Sequence, residues 1–289
     1  MVSVAEPLFR VDVEVLKLGK SDVYRLRIPG STLIAKRSAS ETSRVERAVY
    51  REVLAHLPLA HLRCLGYLEE GDRSWLFLED AGEERLTSSD LDRQRLGRWL
   101  ARLHEASRSV RTGVELPRRD AAHYLDVVAR ARCALDCGAA NPALTGAGRQ
   151  AVETLLRACD RIEASSERVE LLAGAFEPTL VHGGLAGKNV RLRGDDVLAF
   201  DWEAAGWGFP VTDLALADPE SYCAEAARIG AAVGRSWFDA AASVGQVLWC
   251  LAAIPGERDH LASPWVSRIV GKLDSYAHEA EAALQDGGW

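Results

Sequence analysis

The sequence predicts an α+β chain, with a small antiparallel β part over the first eighty residues and a larger, mainly helical part after it. Two observations carry this. Apolar and polar residues alternate at period two up to about residue 80, and from about residue 90 apolar residues recur at helical spacing. The polar stretch DAGEERLTSSD separates the two patterns. With 289 residues, 48% of them hydrophobic, the chain is long and apolar enough for one large domain or two lobes.

RVDVEVL places Val11, Val13 and Val15 on one face of a first strand, with charge on the other. LGKSD interrupts it, VYRLRI resumes the alternation, Pro29-Gly30 turns the chain, and STLIAKR is a third strand. The period then becomes 3.6 in ETSRVERAVYREVLAHL, where Val49, Tyr50, Val53 and Leu57 share a face and Ser40 or Thr42 is placed to cap the start. LRCLGYLEE and RSWLFLE read as two more strands around a Gly71-Asp72 turn. Leu96, Trp99, Leu100 and Leu103 mark a long helix, and 120–137 and about 146–164 read as two others. A hairpin, VRL and VLAF around Gly194, precedes a helical tail broken near Pro219, Pro255 and Pro264.

Composition narrows the function. MVSVAEPLFR lacks the apolar core of a leader peptide, and no uninterrupted apolar run reaches the roughly 18 to 20 residues that cross a bilayer. Six cysteines without metal-ligand spacing read as buried thiols in a reducing cytoplasm, with no disulfide and no zinc. Residues 201–289 carry a net charge of −8 and residues 1–200 a net charge of +1. That disfavours nucleic acid as a partner and is compatible with a cationic substrate, or simply with a solvated acidic surface. Neither nucleic acid nor membrane is expected as a partner. Only five of the 35 basic residues are lysines, two of them Lys36 and Lys188.

Phosphoryl transfer from a nucleotide needs a loop over the phosphates, a cation on them, oxygen ligands for Mg²⁺ and something to orient or deprotonate the acceptor. The chain offers most of these in order. Gly19 and Ser21 lie in a loop between paired strands, where a missing Cβ lets backbone N–H groups approach phosphate, although a lone hairpin glycine is ordinarily just a turn. Lys36 ends the third strand. Glu46, or alternatively Glu52, lies on the following helix within reach of it. Asn189 and Asp201 flank the later hairpin as a neutral and a charged oxygen donor. Asp201 follows the buried run VLAF and needs a partner, for which a metal ion is suited.

HGGLAGKN followed by FDWEAAGWGFPVTDLA resembles the signature of the aminoglycoside phosphotransferase and choline kinase-like family, HGDxxxxN, a strand, then D-W/F-E-x-A-x-x-G-x-P-x-x-D-L-A. The resemblance extends over LGKSDVY, LIAKR, ERAVYREVL, SWLFLED and LARLHEA. It implies a bilobal, protein-kinase-like fold, with a β lobe over 1–80, a helical lobe over 81–289 and a hinge at about 78–82. It implies ATP or GTP as donor and Mg²⁺ as cofactor, with Lys36 on the phosphates, Glu46 holding Lys36, and backbone groups of Glu79 and Ala81 on the base. Asn189 and Asp201 would hold the metal, and Asp213 would bind loop N–H groups. His182 would organise the loop, and Lys188 could add charge stabilisation.

One residue departs from the pattern. The family's catalytic aspartate is Gly184 here, which cannot accept a proton. Three readings follow: a phosphotransferase, attenuated or with its base supplied elsewhere (by Glu203, Asp195, Asp196 or the substrate itself); a nucleotide-binding pseudokinase serving as a binding or scaffolding module for a protein partner; and a kinase-shaped fold that has lost its nucleotide. The acceptor would be a hydroxyl on a small molecule, a cationic amino sugar or another natural product, or on a peptide.

Overall fold

The computed structural model describes residues 11–110, 113–231 and 233–289; the opening decapeptide, read above as lacking a leader's apolar core, lies outside them. β1 (Asp12–Lys17), β2 (Asp22–Ile28), β3 (Ser31–Ala39), β4 (Cys64–Glu70) and β5 (Arg73–Glu79) form one antiparallel sheet in the order β1-β2-β3-β5-β4. β3 is its central strand, and Lys36 pairs with Val23 on one side and Leu76 on the other. Strand β1 lies at the sheet edge, and Val13 and Val15 remain 54% and 55% exposed. Its alternation therefore marks a strand without marking a core face.

The helix after β3 is composite. α1 (Ser40–Ala48) runs into a π turn over Val49–Val53 and a 3₁₀ turn over Leu54–His56. The expected Ser40 or Thr42 cap is not made: Ala39 is the N-cap and no side chain caps it. Instead Ser40 Oγ lies 2.9 Å from Ser74 Oγ, which fixes the helix start on β5.

The chain divides into two compact units. The first runs to Thr87 and takes in Val110–Leu116 and Ala186–Ala205; the second comprises Ser88–Ser109, Pro117–Leu185 and Gly206–Trp289. The expected boundary near 80 falls short, because 80–87 stays with the first unit: Leu192 N–H donates to Glu84 O at 2.8 Å and Arg85 bridges to Arg191. The hairpin carrying Asn189 and Asp201, assigned by sequence to the larger lobe, also groups with the β unit.

The second unit is mainly helical. α2 (Asp90–Arg108) is capped by Ser89, and α3 (Ala121–Ala139) by Asp120. α4 (Gly146–Ala164) has the bounds the periodicity predicts, and α5 (Ser166–Gly174) was not legible. α6 (Val211–Leu214), α7 (Pro219–Arg228), α8 (Arg235–Ala253), α9 (Arg258–Ala262) and α10 (Val270–Asp286) complete it. A three-stranded ribbon, β6 (Arg118–Arg119), β10 (Gly206–Gly208) and β7 (Thr179–Val181), lies among the helices; β8 (Val190–Arg193) and β9 (Asp196–Ala199) form the hairpin of the first unit. Arg235–Ala262 is long and apolar enough by length and composition to cross a membrane, but half of its most apolar window is buried inside the protein. Only Cys159 and Cys250 are buried thiols; Cys133 is exposed on α3, contrary to the sequence expectation.

Buried Glu225 on α7 clamps this unit. It accepts from Arg228 at 2.9 and 2.7 Å and from Arg102 of α2. The Arg228 and Arg102 bonds hold its carboxyl pKa down at about 2. A depressed pKa stabilises above the unfolded value, near 4.5, and the contribution is lost as pH falls toward 2. The arginine ends are half-exposed, so solvent screens part of the effect. Glu225→Gln is expected to cost about 1–3 kcal/mol at pH 7. In urea melts across the acid range, the difference from wild type should shrink between pH 4.5 and 2.

Candidate active site

The site is built within the first unit. Its centre is Lys36, whose side chain is 9% exposed. The Lys36 ammonium donates to Glu46 Oε2 at 2.7 Å, also to Asp201 Oδ1, and lies 3.8 Å from Glu203 Oε2. Between the two acids that sequence left open on the helix, the structure selects Glu46. Burial alone would lower the Lys36 pKa, but Glu46 and Asp201 raise it above the ordinary lysine value. Burial pushes Glu46 up, and the Lys36 charge offsets this only in part.

Asp201 is the single non-glycine residue with positive φ among the described residues, at φ 68° and ψ 51°. Aspartate tolerates this left-handed conformation better than most residues, yet it still carries strain, of the kind that clusters at functional sites. Trp202 locks it in place: it is fully buried, and its indole donates to Ala199 O at 3.1 Å. Asn189 closes the other end of the hairpin, its N–H donating to Ala186 O at 2.8 Å and its carbonyl accepting from Phe200 N–H at 3.0 Å.

A cavity of about 360 Å³ opens on this cluster. Val23, Ile34, Leu62, Leu78 and Phe200 supply apolar walls, and Lys36, Glu46, Lys188, Asn189 and Asp201 supply polar ones. Glu79 and Ala81 also line it. Glu79 N–H is engaged by Arg63 O at 2.9 Å, so this backbone donor is already satisfied. The Glu79 carboxylate is held by Arg193 at 3.0 Å and by Arg63; although burial opposes it, those partners lower its pKa.

In the loop between β1 and β2, Gly19 adopts φ +148°, and its N–H donates to Asp22 Oδ1 at 3.2 Å. Ser21 is buried. Lys20, which sequence reading passed over, donates to Glu203 at 3.0 Å and ties this loop to the segment after Asp201. Its only sequence signal was the scarcity of lysine.

His182 and Gly184 lie in the second unit, after β7. Both oxygens of buried Asp213 accept loop N–H groups, from His182 at 2.6 Å and Gly183 at 3.0 Å. His182 Nδ1 in turn accepts from Gly184 N–H at 3.3 Å. The histidine is fully buried and braces the loop.

Lys36 is set up as a fixed cation, and Asn189 and Asp201 are a pair of hard oxygen donors suited to Mg²⁺. Among the described residues no group of three or more His, Cys, Asp or Glu side chains is placed to hold a metal by itself. A magnesium site of two protein oxygens completed by phosphates fits this donor set. Two buried polar atoms beside the cluster, Glu46 Oε1 and the Tyr50 hydroxyl, have no hydrogen-bond partner among the described residues.

The chain belongs to the APH phosphotransferase enzyme family, matched over residues 12–246. Among curated proteins, none matches it in sequence. Its fold is that of protein-kinase-like phosphotransferases. It is similar to a microcompartment-associated aminopropanol kinase (19% identity, TM-score 0.66, covering 96% of this chain and 94% of that one). Choline kinase from Cryptosporidium parvum Iowa II is also similar (12%, TM-score 0.65, 96% and 91%). So is a thermostable mutant of aminoglycoside phosphotransferase APH(4)-Ia in ternary complex with ADP and hygromycin B (13%, TM-score 0.60, 96% and 95%).

The burial of Glu46 gives a prediction independent of activity. Lys36→Ala strands a buried carboxylate and is expected to destabilise the protein by about 3–5 kcal/mol. Lys36→Met combined with Glu46→Leu should recover most of that loss, and chemical denaturation of the two variants checks it. A double variant no more stable than Lys36→Ala would show that the pair is not what holds α1 to β3.

Proposed function

We propose that the chain is a nucleotide-dependent phosphotransferase that moves the γ-phosphoryl group of ATP, or alternatively GTP, to a hydroxyl of a small-molecule acceptor. The observation that carries this reading is the convergence of Lys36, Glu46 and Asp201 on a cavity that Asn189 also lines. Three sequence-distant segments bring charge to one place, and nothing in a purely structural role requires a cavity beside it.

In this reading the apolar walls take the base, with backbone groups of Glu79 and Ala81 at its edge. Lys36 holds the α- and β-phosphates, and Glu46 fixes Lys36. The Gly19–Ser21 loop covers the phosphates, Asn189 and Asp201 hold Mg²⁺, and Lys188 adds positive charge. The metal would neutralise phosphate charge and hold the triphosphate in line. His182 and Asp213 keep the loop beside Gly184 in shape. Each acts by positioning, which is the main protein contribution to a loose phosphoryl-transfer transition state.

Gly184 removes general-base help, typically worth ~10²- to 10⁴-fold, about 3–5 kcal/mol of barrier. A slow enzyme follows. The neighbouring kinases are named for small amino alcohols, which supports a small-molecule acceptor over a peptide. An ATP donor implies a cytoplasmic setting.

Addition of ATP and Mg²⁺ should raise the melting temperature, with affinity reduced about 10- to 100-fold by Lys36→Ala or Asp201→Ala. No shift up to millimolar nucleotide would refute the reading. Gly183 has positive φ (74°), whereas Gly184 is not among the left-handed glycines, so its φ does not oppose a side chain. Gly184→Asp should therefore increase phosphoryl transfer or ATP hydrolysis at least tenfold. Nucleotide binding without transfer by either form would favour a pseudokinase that serves a protein partner.

A further inference from the structure

Lysine is scarce in this chain, and its placement is uneven. Of the five lysines, Lys17, Lys20, Lys36 and Lys188 belong to the first unit and Lys272 to the second. Lys17, Lys36 and Lys188 line the cavity. Lys20 is joined to it by one carboxylate. Glu203 Oε1 accepts from the Lys20 ammonium at 3.0 Å, and Glu203 Oε2 lies 3.8 Å from the Lys36 ammonium. A compact ammonium on a flexible stem is a point charge suited to phosphate.

The two ends of this bridge are unequal. Lys36 is buried and held by Glu46 and Asp201, both nearer to it than Glu203. The Lys20 side chain is 77% exposed, and an ion pair so open to solvent is held weakly. The loop that carries Lys20 is fixed at its base by other groups. Gly19 N–H donates to Asp22 Oδ1 at 3.2 Å, Asp22 lies 3.7 Å from Arg73 of β5, and Ser21 is buried. Because Asp22 engages the Gly19 N–H, the Lys20 ammonium is the group this loop can extend toward an anion.

Glu203 sets a negative group between two ammonium groups, as a phosphate of a bound nucleotide would. We infer that Glu203 stands in for the outermost phosphate: it holds Lys20 until that phosphate arrives, and Lys20 then passes to the phosphate and draws the loop onto it. This rests on the phosphotransferase reading above, in which Lys36 holds the α- and β-phosphates. Lys20 lies one carboxylate beyond Lys36, so it meets the phosphoryl group that is transferred. It is a second phosphate-binding cation, and its pair with Glu203 is a latch that a nucleoside monophosphate does not open. No covalent bond changes in the exchange. Charge pairing passes from a carboxylate to a phosphate, and the more highly charged phosphate is the stronger partner.

The scarcity of lysine makes the test direct. Protein carrying ¹³C at lysine Cε gives five side-chain signals. Lys→Arg variants of the four exposed lysines assign theirs, and the remaining signal is Lys36. The wild-type protein is titrated with AMP-PNP, ADP and AMP in the presence of Mg²⁺. The Lys20 signal should move most with AMP-PNP, less with ADP and not with AMP. In Glu203→Gln it should be displaced before any nucleotide is added. By calorimetry, Lys20→Gln should weaken AMP-PNP about 5- to 20-fold and ADP by less than about twofold. Lys20→Arg should keep most of the affinity, and Lys272→Gln should change nothing. Glu203→Gln removes the competing carboxylate and should tighten AMP-PNP about 2- to 5-fold. A Lys20 signal that ignores AMP-PNP while the Lys36 signal responds overturns the inference and leaves the phosphotransferase reading standing. So does a Lys20→Gln variant that discriminates AMP-PNP from ADP as the wild type does, or weaker AMP-PNP binding by Glu203→Gln. No lysine response and no heat with either AMP-PNP or ADP would sink the phosphotransferase reading, and this inference with it.

Discussion

The first unit depends on one buried ammonium shared between two carboxylates. Lys36 sits on the central strand, Glu46 on the helix laid against the sheet, and Asp201 on a hairpin some 165 residues later. The two buried members, Lys36 and Glu46, depend on each other most. Glu46 is almost wholly buried, and moving a carboxylate out of water costs several kcal/mol unless a cation meets it. Lys36 meets it, and has enough charge left to anchor Asp201. The strain at Asp201 is held by the buried Trp202 beneath it, so the carboxylate is aimed by packing rather than by chance. Lys20 and Glu203 extend the same network to the loop between β1 and β2.

On the reading proposed above, this arrangement accounts for the charged groups being kept while position 184 carries no base. Of the groups proposed to position phosphate, Lys36 is bound up with the fold of the first unit, since removing it leaves the buried carboxylate of Glu46 without its cation. Gly184 carries no charged side chain. His182 and Gly183 are fixed through backbone N–H groups by Asp213, and that bracing is independent of the next side chain. The loop's shape there does not require a side chain at 184.

What sequence made legible follows the range of the forces involved. Local alternation locates the five strands of the sheet, and 3.6-residue periodicity gives the approximate bounds of α4, because both express contacts within one element. Lys36, Asn189 and Asp201 stood out as polar residues at the ends of apolar runs. Illegible were features fixed by distant partners. The π turn at Val49–Val53 breaks the regular register behind Glu46, and periodicity cannot see it. β6 and β10 are too short to alternate, and exist because Gly206 and Gly208 admit Pro117 and Arg119. The grouping of 186–205 with the first unit depends on 80–87 and on Lys36, neither of which is near it in sequence.

Charge is the instructive case. Counted along the chain, the last third is strongly acidic and suggests a cationic ligand. In the folded protein those acids are largely committed: Glu225 to Arg102 and Arg228, Asp239 and Glu220 to Arg235, Glu257 to Lys272 and His260. Paired and solvent-facing charges contribute little field beyond about 10 Å at ordinary salt. A buried ammonium such as Lys36, which solvent screens little, contributes far more at the cavity that it lines. Net charge along the chain reports solubility, whereas chemistry is reported by charges buried beside a cavity, as those of Lys36 and Glu46 are.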